Sequence, residues 1–349
     1  MMIIRPITSA DHEGLWSIAN KTGPGFTSLQ PCRSAVKKTL ERALLSMDSS
    51  PPKEALYLFV LEDMSVGRVV GVCGIESAVG LNAPWYNYKV STHVHISAEL
   101  GVYNSHDTLS ICNDHTGYSE LCSLFLDPEY RHSKNGQLLS KSRFLFLAGH
   151  PGRFSKEIIA EMRGCSNDEG VSPFWEGLGR HFFSVDFEVA DQHMSKGKAF
   201  IGELMPRNPV CVNLLSDDAQ EVIGKTHKNT LAARKILEGE GFRYTRYIDI
   251  FDGGPLLEAP INTIRAVRES ALHHVKISND NALEGSNTWL ISNDKLSGFR
   301  CGVSAVSFQS PSTVYITKEL ANALQVSETE RVRVVQCSHA NSNSKRLDV

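Results

Sequence analysis

Residues 120–149 read ELCSLFLDPEYRHSKNGQLLSKSRFLFLAG. An apolar run through Leu121, Leu124, Phe125 and Leu126 has the character of a strand, and Asp127-Pro128 is a strong stop after it. A basic loop of small residues follows, containing Arg131, His132, Lys134, Asn135, Gly136 and Gln137. Leu138, Leu139, Phe144 and Leu147 then recur at the spacing of one helix face. The order is strand, loop, helix. Gly136 lets the backbone approach a ligand closely, and the first amides of a helix have no partner inside it. With the positive helix terminus, Arg131 and Lys134 nearby, the expected guest is a phosphate or pyrophosphate.

The rest of the chain sets limits on what that loop serves. Its 349 residues suffice for two domains, and 41% hydrophobic residues can supply their cores. A net charge of -3 gives no general attraction to nucleic acid or to an anionic membrane. The eight cysteines form no C-x-x-C pair and no regular framework, which favours reduced thiols in a cytosolic protein. No apolar run approaches bilayer length, and Met1 to Ile7 reads as a short strand interrupted by Arg5-Pro6, not as a signal peptide. The expectation is a soluble, cytoplasmic protein.

Upstream, residues 2–7 read as a strand, and Ser9 or Asp11 can cap a short helix reaching about Asn20. The glycine-rich turn from Lys21 to Leu29 is a connection that could close over a substrate. Val36, Leu40, Ala43, Leu44 and Met47 follow helical spacing, and residues 55–62 and 68–79 form two strands around a turn. Residues 80–119 concentrate aromatic, amide and histidine side chains; Thr92 to Ile96 reads as a strand with His93 and His95 on one face, the remainder as packing and pocket lining. No carboxylate or cysteine recurs there at ligand spacing, so no metal site is assigned.

Downstream, Glu157 to Arg163 reads as a strand expected beside the Leu121 to Leu126 strand. A short helix over Ser172 to Gly179, with its glycine as stop, and a strand HFFSVDF come next. Asn229 to Phe242 is a helix with a Gly241 stop, followed by a strand from Tyr244 to Phe251. The pieces FWEGLG (174–179) and ILEGEG (236–241) can be aligned, as a partial internal duplication within 120–255 would leave them. Beyond residue 255 the character changes: a helix over Ile261 to Val275, an exposed polar loop at 278–286, several short strands, a helix at Lys318 to Leu324, a last strand from Arg331 and a frayed tail. Many short strands with little chemistry suggest a small barrel-like module for packing or assembly.

The central stretch resembles the acyl-CoA signature of the GNAT acyltransferases, with a loop that is longer and has one clear glycine. The phrases GLNAPWYNYKV (80–90), NDHTGYSELCSLFLDP (113–128), LLSKSRF (138–144), AEMRG (160–164), SPFWEGLG (172–179), AFIGELMP (199–206) and YIDIFDGGP (247–255) are similar to those of the bacterial arginine N-succinyltransferase family. The resemblance implies an α+β fold: a GNAT-like acyl-CoA acyltransferase core over 1–255, and a small C-terminal β-barrel-like domain over 256–349. It implies two parallel strands that splay to admit the CoA arm, and transfer of succinyl from succinyl-CoA to the α-amino group of L-arginine, with ornithine accepted by some members. Succinyl-CoA would be a co-substrate, with no permanently bound cofactor.

Leu124 matches the family's succinyl-CoA contact; since a leucine side chain can only pack, its polar contribution and that of Leu126 must come from the backbone. Arg131, Asn135, Gly136, Gln137 and Leu138 are assigned to the pyrophosphate. His227 matches the family's proton donor, and it stands in a polar turn before a helix whose terminus disfavours its cation. An imidazole of ordinary pKa about 6.5 can protonate a thiolate whose thiol has pKa about 8.5. Glu120, Glu76 and Asp114 are candidates for the guanidinium, while Glu161 and Glu203 suit a buried network. Two other readings stay open: a non-catalytic or regulatory subunit of a two-chain arginine/ornithine succinyltransferase, homo- or hetero-oligomeric, and an acetyltransferase acting on another amine.

Overall fold

The computed structural model describes residues 1–22, 28–48, 53–167, 169–186, 189, 199–278 and 288–338. The remaining residues include most of the Lys21 to Leu29 turn, the polar loop after Ser278 and the C-terminal tail, so those expectations lie outside the described residues.

β1 (Met2–Pro6) leads into α1 (His12–Ala19) and α2 (Arg33–Ser46). Thr8 caps the single 3-10 turn Ser9–Asp11 that leads into α1, and Asp11 stands at the N-cap of α1 itself without a side-chain bond to its first turn. Asp11 instead reaches back to accept the Thr8 N–H at 2.7 Å, and Arg5 holds that carboxylate with two N–H groups at 2.7 and 2.9 Å. β2 (Leu56–Asp63) and β3 (Arg68–Glu76) pair as the expected hairpin. Alternation along them divides the core in two. Leu56, Leu58 and Val60 pack under α1 and α2, whereas Tyr57, Phe59 and Leu61 face the other side of the sheet.

β4 (Asn87–Ser97) and β5 (Val102–Cys112) form a long antiparallel hairpin, paired from Asn87 with Cys112 to Ser97 with Val102. Thr92 to Ile96 is a strand as expected, and Gly80, Ala83, Pro84 and Trp85 line a cavity, but the outer half of the hairpin does not: Ile96 and Tyr103 are 73% and 69% exposed. His93, His95 and His106 stack across the two strands. Among the described residues no three metal-ligating side chains are grouped.

β6 (Ser119–Leu126) is followed by α3 (Asn135–Gly149) and β7 (Glu157–Glu161), as expected. Helix continues through Gly179 as a π turn (Trp175–Gly179) and an α turn (Arg180–Phe183), where a strand HFFSVDF was expected. Gly179 is required by packing: a Cβ there would lie 2.2 Å from the Trp175 indole. Glu203 is exposed on the helix Ala199–Leu204, outside any buried network.

β8 (Val210–Cys211) precedes the helix Leu231–Glu240, which ends on Gly241 at φ 110, a left-handed C-cap that glycine adopts without strain. β9 (Arg243–Ile248) and β10 (Pro255–Pro260) return to the sheet, β10 against β7. The helix expected over Ile261 to Val275 shrinks to Arg265–Glu269, because β11 (Ala271–Ser278) is drawn into ladders with two later strands. β12 (Trp289–Asn293), β13 (Cys301–Ser304), β14 (Ser307–Ser310), β15 (Thr313–Thr317) and β16 (Arg331–Gln336) complete the C-terminal part.

The described strands run β14, β15, β11, β16, β12, β13, β1, β2, β3, β6, β7, β10, β9, β4, β5, β8 in one connected sheet. The C-terminal strands join it through β13 on β1, and their core of Ile3, Val275, Ile291, Val314, Ile316 and Leu320 is separate from that under α3. All eight cysteines are free thiols. No described helix is long and apolar enough to cross a membrane.

Candidate active site

The site exists because two parallel strands part company. β6 and β7 are in register only at Ser119 with Ile158 and Glu120 with Ile159, although β6 continues to Leu126. From Leu121 onward the neighbouring edges diverge and open into a cavity of about 1270 Å³.

On its other edge β6 carries a bulge. Val72 faces Phe125 and Gly74 faces Cys122, so Cys73 opposes both Ser123 and Leu124. Ser123 adopts φ 54, in the left-handed region that non-glycine residues rarely enter. Two residues against one cannot both stay in the ladder, so backbone polar groups at Ser123 and Leu124 are displaced from it at the cavity wall.

Beyond β6 the chain turns on Asp127, whose carboxylate accepts from the Glu129 amide and from Lys21 at 2.5 Å. Burial pushes this carboxyl up, but those donors and Arg68 hold it below the ordinary aspartate value. Ser133 (φ 50) and Lys134 (φ 63) are both left-handed and curl the backbone round the start of α3. The Asn135 amide is taken by the His132 carbonyl and the Leu138 amide by the Lys134 carbonyl. Gly136 and Gln137, between them, are the first-turn positions whose amides face the cavity without a backbone partner in the helix. A Cβ on Gly136 would meet only Leu126, at 3.9 Å, so a side chain there would project into open space.

Leu124, Leu126, Arg131, Gly136 and Gln137 therefore come together on one wall. Asn135 and Leu138 turn away. Asn135 is 4% exposed and donates to the Tyr130 carbonyl, and Leu138 is packed in the core. Arg131 donates to the Leu126 carbonyl at 3.1 Å, and Lys134 reaches Thr288 from the C-terminal part at 2.7 Å. Gln137 Oε1 is buried without a hydrogen-bond partner.

The opposite wall is made by Arg163, Asn229 and the helix Leu231–Glu240, which shows the cavity Ala232, Ala233 and Ile236. His227 is just behind it, 6% exposed, its amide on the Arg163 carbonyl at 2.8 Å. Its Nδ1 accepts the Asn229 N–H at 3.2 Å, so the neutral ring carries its proton on Nε2. The tautomer is thus set by the turn that begins the helix.

The acidic candidates separate. Glu76 is held by Arg42 in a two-point pair at 2.7 and 3.0 Å, and Asp114 lies elsewhere, bonded to Tyr247 and near Lys89. Glu120 and Glu161 line the cavity on the two diverging strands, Glu161 accepting from Asn87 at 3.2 Å. Sequence reasoning passed over Asp249, Asp252 and Arg143, all on the cavity wall. The signal for Arg143 was a charge inside the otherwise apolar second half of α3.

Free amides at a helix start, parallel strands opening beside them and a bulge at the opening define an acyl-CoA N-acyltransferase of the GNAT type. The chain matches the model of the arginine N-succinyltransferase beta subunit over residues 2–266, and that of the same subunit's C-terminal domain over 273–336. It is 48% identical to arginine N-succinyltransferases of Escherichia coli and Shigella flexneri over 339 residues, 96% of this chain and 98% of each relative. The solved arginine/ornithine succinyltransferase subunit AI from Pseudomonas aeruginosa superposes with a TM-score of 0.88 at 33% identity, covering 97% of this chain and 99% of that one. This chain belongs to the arginine N-succinyltransferase family.

Proposed function

We propose that the protein transfers the succinyl group of succinyl-CoA to the α-amino group of L-arginine, in the cytoplasm, with no permanently bound cofactor. The observation carrying this reading is the cavity between β6 and β7, with a free-amide cradle at one end and the bulge at Ser123 and Leu124 further in. In this reading the pyrophosphate rests on the Gly136 and Gln137 amides with Arg131 and Lys134 beside it. The pantetheine arm runs along Leu126, and the Leu124 backbone meets the thioester oxygen, where negative charge grows as the amine attacks. The C–N bond forms and the C–S bond breaks; the attacking amine gives up its proton to solvent, and the departing thiolate takes one from His227 in its protonated form, in which Nδ1 has released the Asn229 N–H. In this reading Glu120 and Glu161, which line the cavity, receive the guanidinium. The division of labour assigns acyl transfer to residues 1–255 and packing to 256–349, with the latter buttressing α3 from behind.

The test is thiol release by the purified chain from succinyl-CoA plus arginine, with ornithine and acetyl-CoA in parallel. Release with succinyl-CoA and arginine supports the reading. Release only with acetyl-CoA would make the protein an acetyltransferase. Because the Pseudomonas aeruginosa relative is named as a subunit, a second arm adds a partner chain. Activity appearing only then would assign this chain a non-catalytic or regulatory role.

A further inference from the structure

Arg143 is 1% exposed, and among the described residues no carboxylate lies within ion-pair distance of it. Three hydrogen bonds account for its donors: Nε to the Ser140 carbonyl at 3.0 Å, one terminal nitrogen to Ser140 Oγ at 3.1 Å, and the other to the Gly74 carbonyl at 3.4 Å. A guanidinium has five N–H groups, so two remain. Burial pulls its pKa down from the ordinary value, and the titratable groups that act on it are two thiols, Cys73 and Cys122, which burial itself pushes up and so keeps neutral. A buried cation without an anion is costly, and the cost falls if a ligand supplies the anion.

Its position says which ligand. Arg143 lines the cavity and bonds Gly74, the residue facing Cys122 where the β6 bulge begins. It stands seven residues beyond Gly136 on α3, about 10 Å along the axis at 1.5 Å per residue. A phosphate at the start of α3 and a thioester at the bulge would thus bring the acyl group, not the nucleotide, to Arg143. Of the other cavity cations, Arg42 pairs with Glu76 and Lys21 with Asp127, Arg131 and Lys134 stand beside the start of α3, and Arg163 donates to Ser166 at 3.0 Å.

We infer that Arg143 binds the distal carboxylate of the acyl group and so sets the preference for a dicarboxylic acyl donor over a neutral one. This rests on the succinyl-CoA reading above. A purely structural Arg143, holding the Gly74 carbonyl beside the bulge, would affect every acyl donor alike.

The test compares succinyl-CoA with butyryl-CoA, a neutral donor of the same carbon count, in wild type and in Arg143→Met and Arg143→Lys, with thermal melting to verify folding. The expected result is that Arg143→Met lowers the succinyl-to-butyryl ratio of kcat/KM by about 100-fold, and that Arg143→Lys restores part of it. A folded Arg143→Met with the wild-type ratio overturns the inference. Failure of wild type to use succinyl-CoA would instead sink the functional reading. Should both variants fail to fold, a crystal structure of wild type with an unreactive thioether analogue of succinyl-CoA decides: the carboxylate on Arg143 supports the inference, and a carboxylate elsewhere overturns it.

Discussion

Glu240 offers the sharpest stability test, because it ties the helix behind the site to the rest of the protein. Its side chain is 1% exposed and accepts from Arg265 at 2.7 and 3.2 Å, from the Ala266 amide at 2.8 Å and from Lys141 at 2.9 Å. α3, the helix Leu231–Glu240 and the turn Arg265–Glu269 are thus joined at one carboxylate. Lys141 and Arg265 are 7% and 4% exposed, so Glu240→Ala would leave two cations buried. Summing charge-assisted bonds individually would overstate the effect, since they share one acceptor. Breaking a buried pair by removing one partner costs about 3 to 5 kcal/mol. For 349 residues the unfolding entropy near the midpoint is roughly 0.7 kcal/mol/K, which converts this into a fall in Tm of about 4 to 7 °C. Differential scanning calorimetry of wild type and Glu240→Ala reads it directly. A fall below about 1 °C would mean that Lys141 and Arg265 find water on their own, and the network would not be what fixes this helix.

His227→Ala should lower kcat by about 100-fold or more with little change in KM for the acyl donor, and near-normal turnover would remove His227 from the chemistry. Leu124→Ala keeps the backbone amide and should lower kcat less than about tenfold; a loss above 100-fold would show that the side chain, not the backbone, does the work. Gly136→Ala should leave Tm unchanged or slightly raised, because a Cβ there meets almost nothing, while raising KM for the acyl donor about tenfold by occupying the phosphate's place; unchanged KM would move the phosphate elsewhere. Burial, and then the charge of Asp249, raise the Asp252 carboxyl well above its ordinary value. As pH rises above about 4 the unfolded chain ionises this group first, so its stabilising contribution is lost through the folded pKa. Asp252→Asn should therefore flatten the decline of Tm as pH rises above about 4, and an equally steep decline in the variant would refute that assignment.

The parts of the fold legible in the sequence are those where burial is one-sided. β2, β3, β6 and the face of α3 bearing Leu138, Leu139 and Phe144 announce themselves because alternation or helical spacing separates core from solvent. The outer half of the β4 and β5 hairpin buries little on either side, so it has no alternation to read, and its turn lacks a two-residue glycine signature. Residues 271–275 kept an apolar spacing compatible with a helix, and only pairing of β11 with β15 and β16, far along the chain, made them a strand.

The candidate site was half visible for the same reason. Arg131, Gly136 and Gln137 lie close together in sequence, and what groups them is local: a basic side chain just before the unpaired amides of Gly136 and Gln137 at a helix start. The bulge at Ser123 depends on how β6 meets β3, and no residue of SELCSLFL advertises it. Arg143 depends on it in turn, because its partner Gly74 faces Cys122 where the bulge begins. Counting only apolar positions made α3 one-sided, whereas Lys141, Ser142 and Arg143 are buried as well. Buried on every side, this helix is a shared wall: its first turn borders one end of the cavity, its middle presents a cation at the bulge, and Lys141 anchors it to Glu240. In the proposed reading, a single rigid helix thereby sets the distance between the nucleotide end and the acyl end of the donor, and shifting α3 would disturb both at once.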